Sequence, residues 1–180
     1  MTFLLPWFRT SSALVRSRFP WRSHEHKPLI LISLLLAALV INLDTTIVNV
    51  ALPTLVRELH ASNSQLQWVV DAFNLLFAGS VLAVGSLSDR FGRKGMLLAG
   101  LSVFGLASLA GGLTDSTGAL IAARSVMGVG AAMVFPSTLS LISNVFTERR
   151  ERARAIGLWG ATTGAAIALG SIVGGWLLQA

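Results

Sequence analysis

Five long apolar stretches constrain this chain more than any other feature. They cover residues 29–52, 66–87, 95–113, 119–145 and 155–178. Each is long enough to cross about 30 Å of hydrocarbon at about 1.5 Å per helical residue. Only 12% of the 180 residues are charged, whereas an ordinary soluble domain carries about 25%. The sequence therefore predicts an all-α, polytopic membrane protein with five transmembrane helices.

The basic residues lie mostly on one side of these spans. Of fourteen lysines and arginines, twelve fall in the tail or in the second–third and fourth–fifth loops; Arg57 lies opposite, and Arg124 lies within a span. The positive-inside rule then predicts a plasma-membrane protein with a cytoplasmic N-terminus. We expect residues 1–28 to form a basic cytoplasmic tail and residues 29–180 a transmembrane domain in the lipid bilayer. The positive charge reflects topology and indicates no nucleic-acid partner.

Two ionisable residues lie at similar depths inside the predicted spans. Asp44 in the first and Arg124 in the fourth are both roughly 7–12 Å below the outer edge, at about 1.5 Å per residue. A carboxylate at this depth is costly unless paired or protonated, and arginine stays protonated in proteins. If the two helices are neighbours, we expect the charges to meet. The alternative interpretation of Asp44 is a carboxylate that only locks helix packing.

Other polar residues in the spans are candidates for a cavity or a substrate site. Asn42, Thr45 and Asn49 share one face of the first span, and Asp44 points away from that face. The sequence leaves open which face lines a cavity and which meets a partner helix. Asp71 lies about two turns into the second span. Either it lines an outer vestibule, or its side chain simply snorkels towards water.

A short charged segment, Gly85-Ser-Leu-Ser-Asp89-Arg90-Phe-Gly92-Arg93-Lys94, separates the second and third spans. We expect a loop here, in which Gly85 and Gly92 permit close packing and a sharp turn. A positive loop that merely fixes orientation is the alternative. The pattern G-x-L-S-D-R-x-G-R-K resembles the signature loop between the second and third spans of the major facilitator superfamily of transporters.

Three further motifs resemble the same superfamily. The run L-D-T-T-I-V-N-V-A-L-P in the first span is similar to that of the fourteen-span drug:proton antiporters, and R-x-x-x-G-x-G-A-A in the fourth to a motif whose arginine is implicated in proton coupling. The fifth span resembles the helix-packing motif of antiporters. Its glycines are Gly157, Gly164, Gly170, Gly174 and Gly175, although Ala166 and Ser171 stand where that motif usually has glycine and proline.

The resemblance implies the N-terminal half-bundle of a proton-coupled exporter of small organic, drug-like compounds. Asp44 and Arg124 would couple protons, and the segment from Gly85 to Lys94 would gate the helices. The fifth-span glycines would pack against another helix. The implied partners are a small-molecule substrate, protons and the missing C-terminal helices of the same transporter, because the chain ends after the fifth span and we expect it to be an incomplete fragment.

Alternatives to this function remain open at the level of sequence. The chain could be a non-transporting membrane fragment or assembly subunit, or part of a proton-coupled importer of the same superfamily. An enzyme is not expected, because the spans contain neither a nucleophile–base pair nor a plausible set of metal ligands. No cofactor or metal is implied, since an ion gradient would supply the energy.

Overall fold

The computed structural model describes residues 26–177, except for the side chains of residues 89–91, 176 and 177. Five helices follow one another: α1 (Lys27–Leu59), α2 (Asn63–Phe91), α3 (Arg93–Gly112), α4 (Thr117–Val145) and α5 (Arg149–Leu177). All five are long and apolar enough to cross a membrane. The prediction of an all-α fold with five membrane-spanning helices is confirmed. Residues 1–25 of the predicted tail lie outside the described residues.

The first connection is shorter than the sequence suggests. α1 continues through Pro53 to Leu59, beyond the end of its apolar run, and His60 then adopts a left-handed conformation with φ of 49°. Ser62 caps α2 reciprocally: its hydroxyl accepts from the Gln65 amide at 3.3 Å, and its own amide donates to Gln65 Oε1 at 2.9 Å. The left-handed His60 and the capping box of Ser62 and Gln65 thus set the helix ends at this connection, whereas hydropathy indicates only which residues suit the bilayer.

The prediction of a loop from Gly85 to Lys94 is wrong, because the turn is much shorter than predicted. α2 remains helical through Gly85 to Phe91, and α3 begins at Arg93. Gly92 alone makes the turn, with φ of 89°, and its amide donates to the Ser88 carbonyl at 3.1 Å. A side chain at Gly85 would meet nothing within 4 Å, so this glycine makes no close packing among the described residues. Helix continues here because it satisfies the backbone hydrogen bonds locally.

The starts of α1 and α5 lie together. Lys27 Nζ is 2.8 Å from Glu151 Oε2 and 5.8 Å from the centre of the Phe146 ring. α5 is helical from Arg149, so the basic residues predicted to form a loop between the fourth and fifth spans belong to its first turns. These cations therefore cluster at the same end of the bundle as the start of α1.

Glycines set the helix spacing in two groups. The most extensive contacts join α4 to α2 and α3, and α1 to α5. Gly128 of α4 lies against the backbone of Phe73 on α2, while Gly130 lies against the backbone of Phe104 on α3. On the other side of the bundle, Gly170 of α5 lies against Thr46 of α1. Small residues permit this close approach, which drives helix association where lipid removes the hydrophobic force.

We expect Gly128→Ala to destabilise the protein. The added methyl group would overlap the Phe73 carbonyl, a backbone atom that cannot move without shifting α2. The free energy of unfolding should fall by about 1–3 kcal/mol, as for other overpacked interiors. Thermal unfolding in detergent measures this. The matched control is Gly79→Ala on α2, whose methyl group would meet nothing within 4 Å and which improves helix propensity. Equal melting temperatures for the two variants would contradict the packing described.

Candidate functional site

A buried ion pair joins α1 to α4. Arg124 Nη1 lies 2.5 Å from Asp44 Oδ2. Arg124 is 2% exposed, whereas the side chain of Asp44 is 19% exposed. The pair therefore combines a cation buried in the interior with an anion that is partly exposed at the surface of the described helices. Whether it couples protons remains a prediction.

α2 supplies two further contacts to the same arginine. Arg124 Nε donates to the Val69 carbonyl at 3.3 Å, and the guanidinium carbon lies 4.5 Å from the centre of the Phe73 ring. A cation over an aromatic face at this distance is attracted by the ring quadrupole. Arg124 is thus held by an anion, a carbonyl and a ring from two helices.

The local sequence of α4 explains why α2 comes so close. Arg124 and Gly128 are four residues apart, so they occupy the same face one turn from each other. Because Gly128 has no side chain, the Phe73 backbone packs directly on α4. That contact places Val69 and Phe73 beside the guanidinium. The glycine was visible in the sequence, but its role in seating α2 was not predicted.

The candidate cavity residues of α1 lie on a different face of that helix from Asp44. Asn42 and Thr45 are half-buried and Asn49 is exposed. Each bonds to a carbonyl of its own helix: Asn42 Nδ2 to Ala38 at 2.7 Å, Thr45 Oγ1 to Ile41 at 3.1 Å, and Asn49 Nδ2 to Thr45 at 2.9 Å.

On a helical wheel this polar face lies roughly opposite the exposed apolar stripe of α1. The stripe contains Leu29, Leu36 and Val40. The polar face is therefore turned away from the side of α1 that suits lipid. It stays a candidate cavity wall.

The remaining candidates on α2 and α3 are not brought to the ion pair. Asp71 is exposed and forms no ion pair with any residue whose side chain the structure describes. Gly92, Arg93 and Lys94 lie at the α2–α3 turn, at the far end of α2 from Val69. The side chains of Asp89 and Arg90 lie outside the described part of the chain.

The fifth-span glycines divide between two situations. Gly170 and Gly174 lie against α1, where an added Cβ would come within 2.6 Å of Thr46 and 3.2 Å of Val50. At Gly157, Gly164 and Gly175 it would meet nothing within 4 Å. Two glycines of the predicted motif thus pack α5 against α1, and the other three have open space where a Cβ would lie.

A chain of aromatic rings extends from the ion pair towards α5 and was not predicted. Phe73 stacks on Phe77 with ring centres 6.3 Å apart, and Phe77 meets Phe135 edge-to-face at 5.7 Å. Phe135 meets Trp159 in the same way at 5.6 Å. A partial signal exists in the sequence, since Val69, Phe73 and Phe77 recur every four residues and therefore share one face of α2.

The ion pair can be tested by substituting its members separately and together. Asp44→Asn strands a permanent cation, so we expect the free energy of unfolding to fall by about 3–5 kcal/mol. Arg124→Gln should cost less, because the partly exposed Asp44 can contact water or bind a proton. The double variant should be less destabilised than the sum of the single effects, as measured by thermal or denaturant unfolding in micelles. Strictly additive effects would contradict direct pairing.

Comparison with known proteins identifies the family. The family model described as Major Facilitator Superfamily matches residues 34–180. The chain is 43% identical over 149 residues to the puromycin resistance protein of Streptomyces alboniger. This aligned region covers 83% of the chain and 30% of that protein. It is 45% identical over 150 residues to the methylenomycin A resistance protein of Bacillus subtilis. That aligned region covers 83% of the chain and 32% of the relative.

A third relative is the multidrug efflux pump of Mycolicibacterium smegmatis, 41% identical over 146 residues, with 81% of the chain and 29% of the pump covered. The chain therefore spans about a third of the length of these relatives. The family consists of multi-pass membrane proteins that transport small molecules and are not enzymes. A match over most of the chain, on five helices able to span a membrane, shows that this protein belongs to the Major Facilitator Superfamily.

Proposed function

We propose that this chain is the N-terminal part of a proton-coupled exporter of small organic, drug-like compounds. The observation that carries the proposal is the ion pair between Asp44 and Arg124, which joins two helices in the interior of the bundle. The relatives named as resistance proteins and as a multidrug efflux pump favour export over import. The substrate would be held together with the further helices of a longer transporter.

Asp44 is the proposed proton-binding group. Its side chain is partly exposed, and in this mechanism a water-filled cavity would deliver a proton to a carboxylate oxygen, whereas Arg124 is buried and permanently charged. Protonation removes the negative partner and leaves the cation, so the link between α1 and α4 weakens. Substrate binding or a helix shift that separates the pair would favour the same step. Binding of proton and substrate would then be linked through one contact.

The other candidate residues take supporting roles in this proposal. Asn42, Thr45, Asn49 and Asp71 are candidate contacts for substrate or cavity water. The turn at Gly92, with Asp89, Arg90, Arg93 and Lys94, is the proposed cytoplasmic gate. Gly157, Gly164 and Gly175 would pack against helices of the second half, because small residues permit close backbone approach.

Proton coupling can be measured in a hybrid transporter. Residues 34–177 of this chain replace the matching segment of the Mycolicibacterium smegmatis efflux pump, to which the chain is 41% identical. In proteoliposomes we expect the hybrid to move a compound exported by the parent pump against its gradient when a pH gradient is imposed. Asp44→Asn should abolish this uphill transport and preserve downhill exchange of the compound, because the proton site is lost and the substrate path is retained.

The control for this measurement is Asp115→Asn in the exposed α3–α4 connection, which should transport like the parent hybrid. Uphill transport that survives Asp44→Asn would remove Asp44 from the coupling mechanism. A folded hybrid that moves no substrate in either assay would favour a non-transporting fragment. Uphill uptake into the compartment that corresponds to the cytoplasm would favour an importer.

We further propose that the protein lies in the plasma membrane with its N-terminus in the cytoplasm. The chain contains no cysteine, so single cysteines report topology directly. A membrane-impermeant maleimide should label Ser64→Cys, at the exposed start of α2, in intact cells. Thr147→Cys, in the exposed α4–α5 connection, should react only after permeabilisation. The two residues serve as controls for each other, and the reverse labelling pattern would contradict this orientation.

A further inference from the structure

The Phe73 ring gives Arg124 a partner that does not depend on Asp44. The ring centre lies 4.5 Å from the guanidinium carbon, and both residues are sealed from solvent, at 5% and 2% exposure. One turn earlier on α2, the Val69 carbonyl accepts from Arg124 Nε at 3.3 Å. The cation is therefore held by α2 as well as by the carboxylate on α1.

This second set of contacts matters whenever the carboxylate is neutral or withdrawn. Arginine keeps its charge at every accessible pH, so its guanidinium still needs stabilisation after Asp44 has been protonated. A carbonyl oxygen and the negative face of an aromatic ring both supply it. A cation–π contact is strongest where water is excluded, as it is at this position.

We propose that Phe73 is a positioning residue for proton coupling, a proposal that rests on the proposed function. Its ring face holds the Arg124 guanidinium when the Asp44 carboxyl is protonated. Phe73 would transfer no proton, because a phenyl ring has no titratable group. It sets the position of the cation that the carboxylate must leave and rejoin. The proton affinity of Asp44 should therefore depend on the electron density of the Phe73 ring.

Other charges do not explain such a dependence. On α2 the nearest ionisable residue in sequence is Asp71, which is exposed and lies about 200° around the helix from Phe73. The span of α4 contains no other ionisable residue, and the ionisable residues of α3 and α5 are confined to their first turns. On α1, Lys27 lies at the start and Arg57 and Glu58 at the end, several turns from Asp44.

Phe73 also packs in the apolar core, so an ordinary truncation would mix two effects. Fluorinated phenylalanines separate them, because fluorine withdraws electron density from the ring face with little change of shape. The matched control position is Phe104 on α3, which is 4% exposed and packs against Gly130. It belongs to the same core cluster and has no contact with Arg124 among those described.

The experiment uses the 180-residue chain in lipid nanodiscs. Infrared difference spectra are recorded across a pH titration, and the C=O band of the protonated Asp44 carboxyl is identified by its loss in Asp44→Asn. Mono-, di- and trifluorophenylalanine are introduced at position 73 and, separately, at position 104. We expect the midpoint of the Asp44 titration to move steadily with each fluorine at position 73, by about half a pH unit or more in total. It should not move for the same series at position 104.

A midpoint that is insensitive to fluorination at position 73 would overturn the role of Phe73 and leave the proposed function of Asp44 intact. Equal shifts at both positions would overturn it as well, because the effect would then be a general one of the core. If no titrating Asp44 band appears at any pH, the proposed function and the role of Phe73 both fail. As a second variant, Phe73→Leu should displace the midpoint more than Phe104→Leu does.

Discussion

A permanent cation buried in an apolar interior is the constraint on which the rest of the described structure depends. Arg124 is almost completely sealed, and arginine cannot relieve the cost of burial by losing its proton. Its charge must therefore be balanced where it lies. Asp44 provides the opposite charge from α1, while Val69 and Phe73 provide a carbonyl and a ring from α2. Three helices have to meet at one point with little freedom in their spacing.

The glycines make this spacing possible. In the bilayer, lipid is as apolar as the side chains, so helices associate through close contact and polar bonds instead of hydrophobic burial. Gly128 brings α2 onto α4 one turn from Arg124, and Gly170 and Gly174 bring α5 onto α1. The bundle consequently consists of α2, α3 and α4 on one side and α1 with α5 on the other. The ion pair lies where these two groups meet.

Much of this arrangement could be predicted from composition, because bilayer thickness fixes the length of a span and makes internal charges conspicuous. The depths of Asp44 and Arg124 followed from counting residues, and these depths allowed the two groups to meet. Phe73 could not be singled out in this way. It is one of nine phenylalanines in an apolar chain, and its contact with Arg124 depends on how α2 crosses α4. The prediction of a loop at Gly85 was wrong, because a glycine permits a turn without requiring one. The turn is made at Gly92, whose positive φ favours glycine.

The contacts of Arg124 also give the proposed coupling a direction. If Asp44 takes up a proton, the arginine loses its partner on α1 and keeps both of its partners on α2. The α2–α4 junction is further secured by the backbone contact at Gly128, which involves no charge. In the proposed mechanism, protonation would therefore weaken the α1–α4 junction and leave the α2–α4 junction in place. The group formed by α1 and α5 would become free to shift relative to α2, α3 and α4, and it would carry with it the polar face of Asn42, Thr45 and Asn49 on α1.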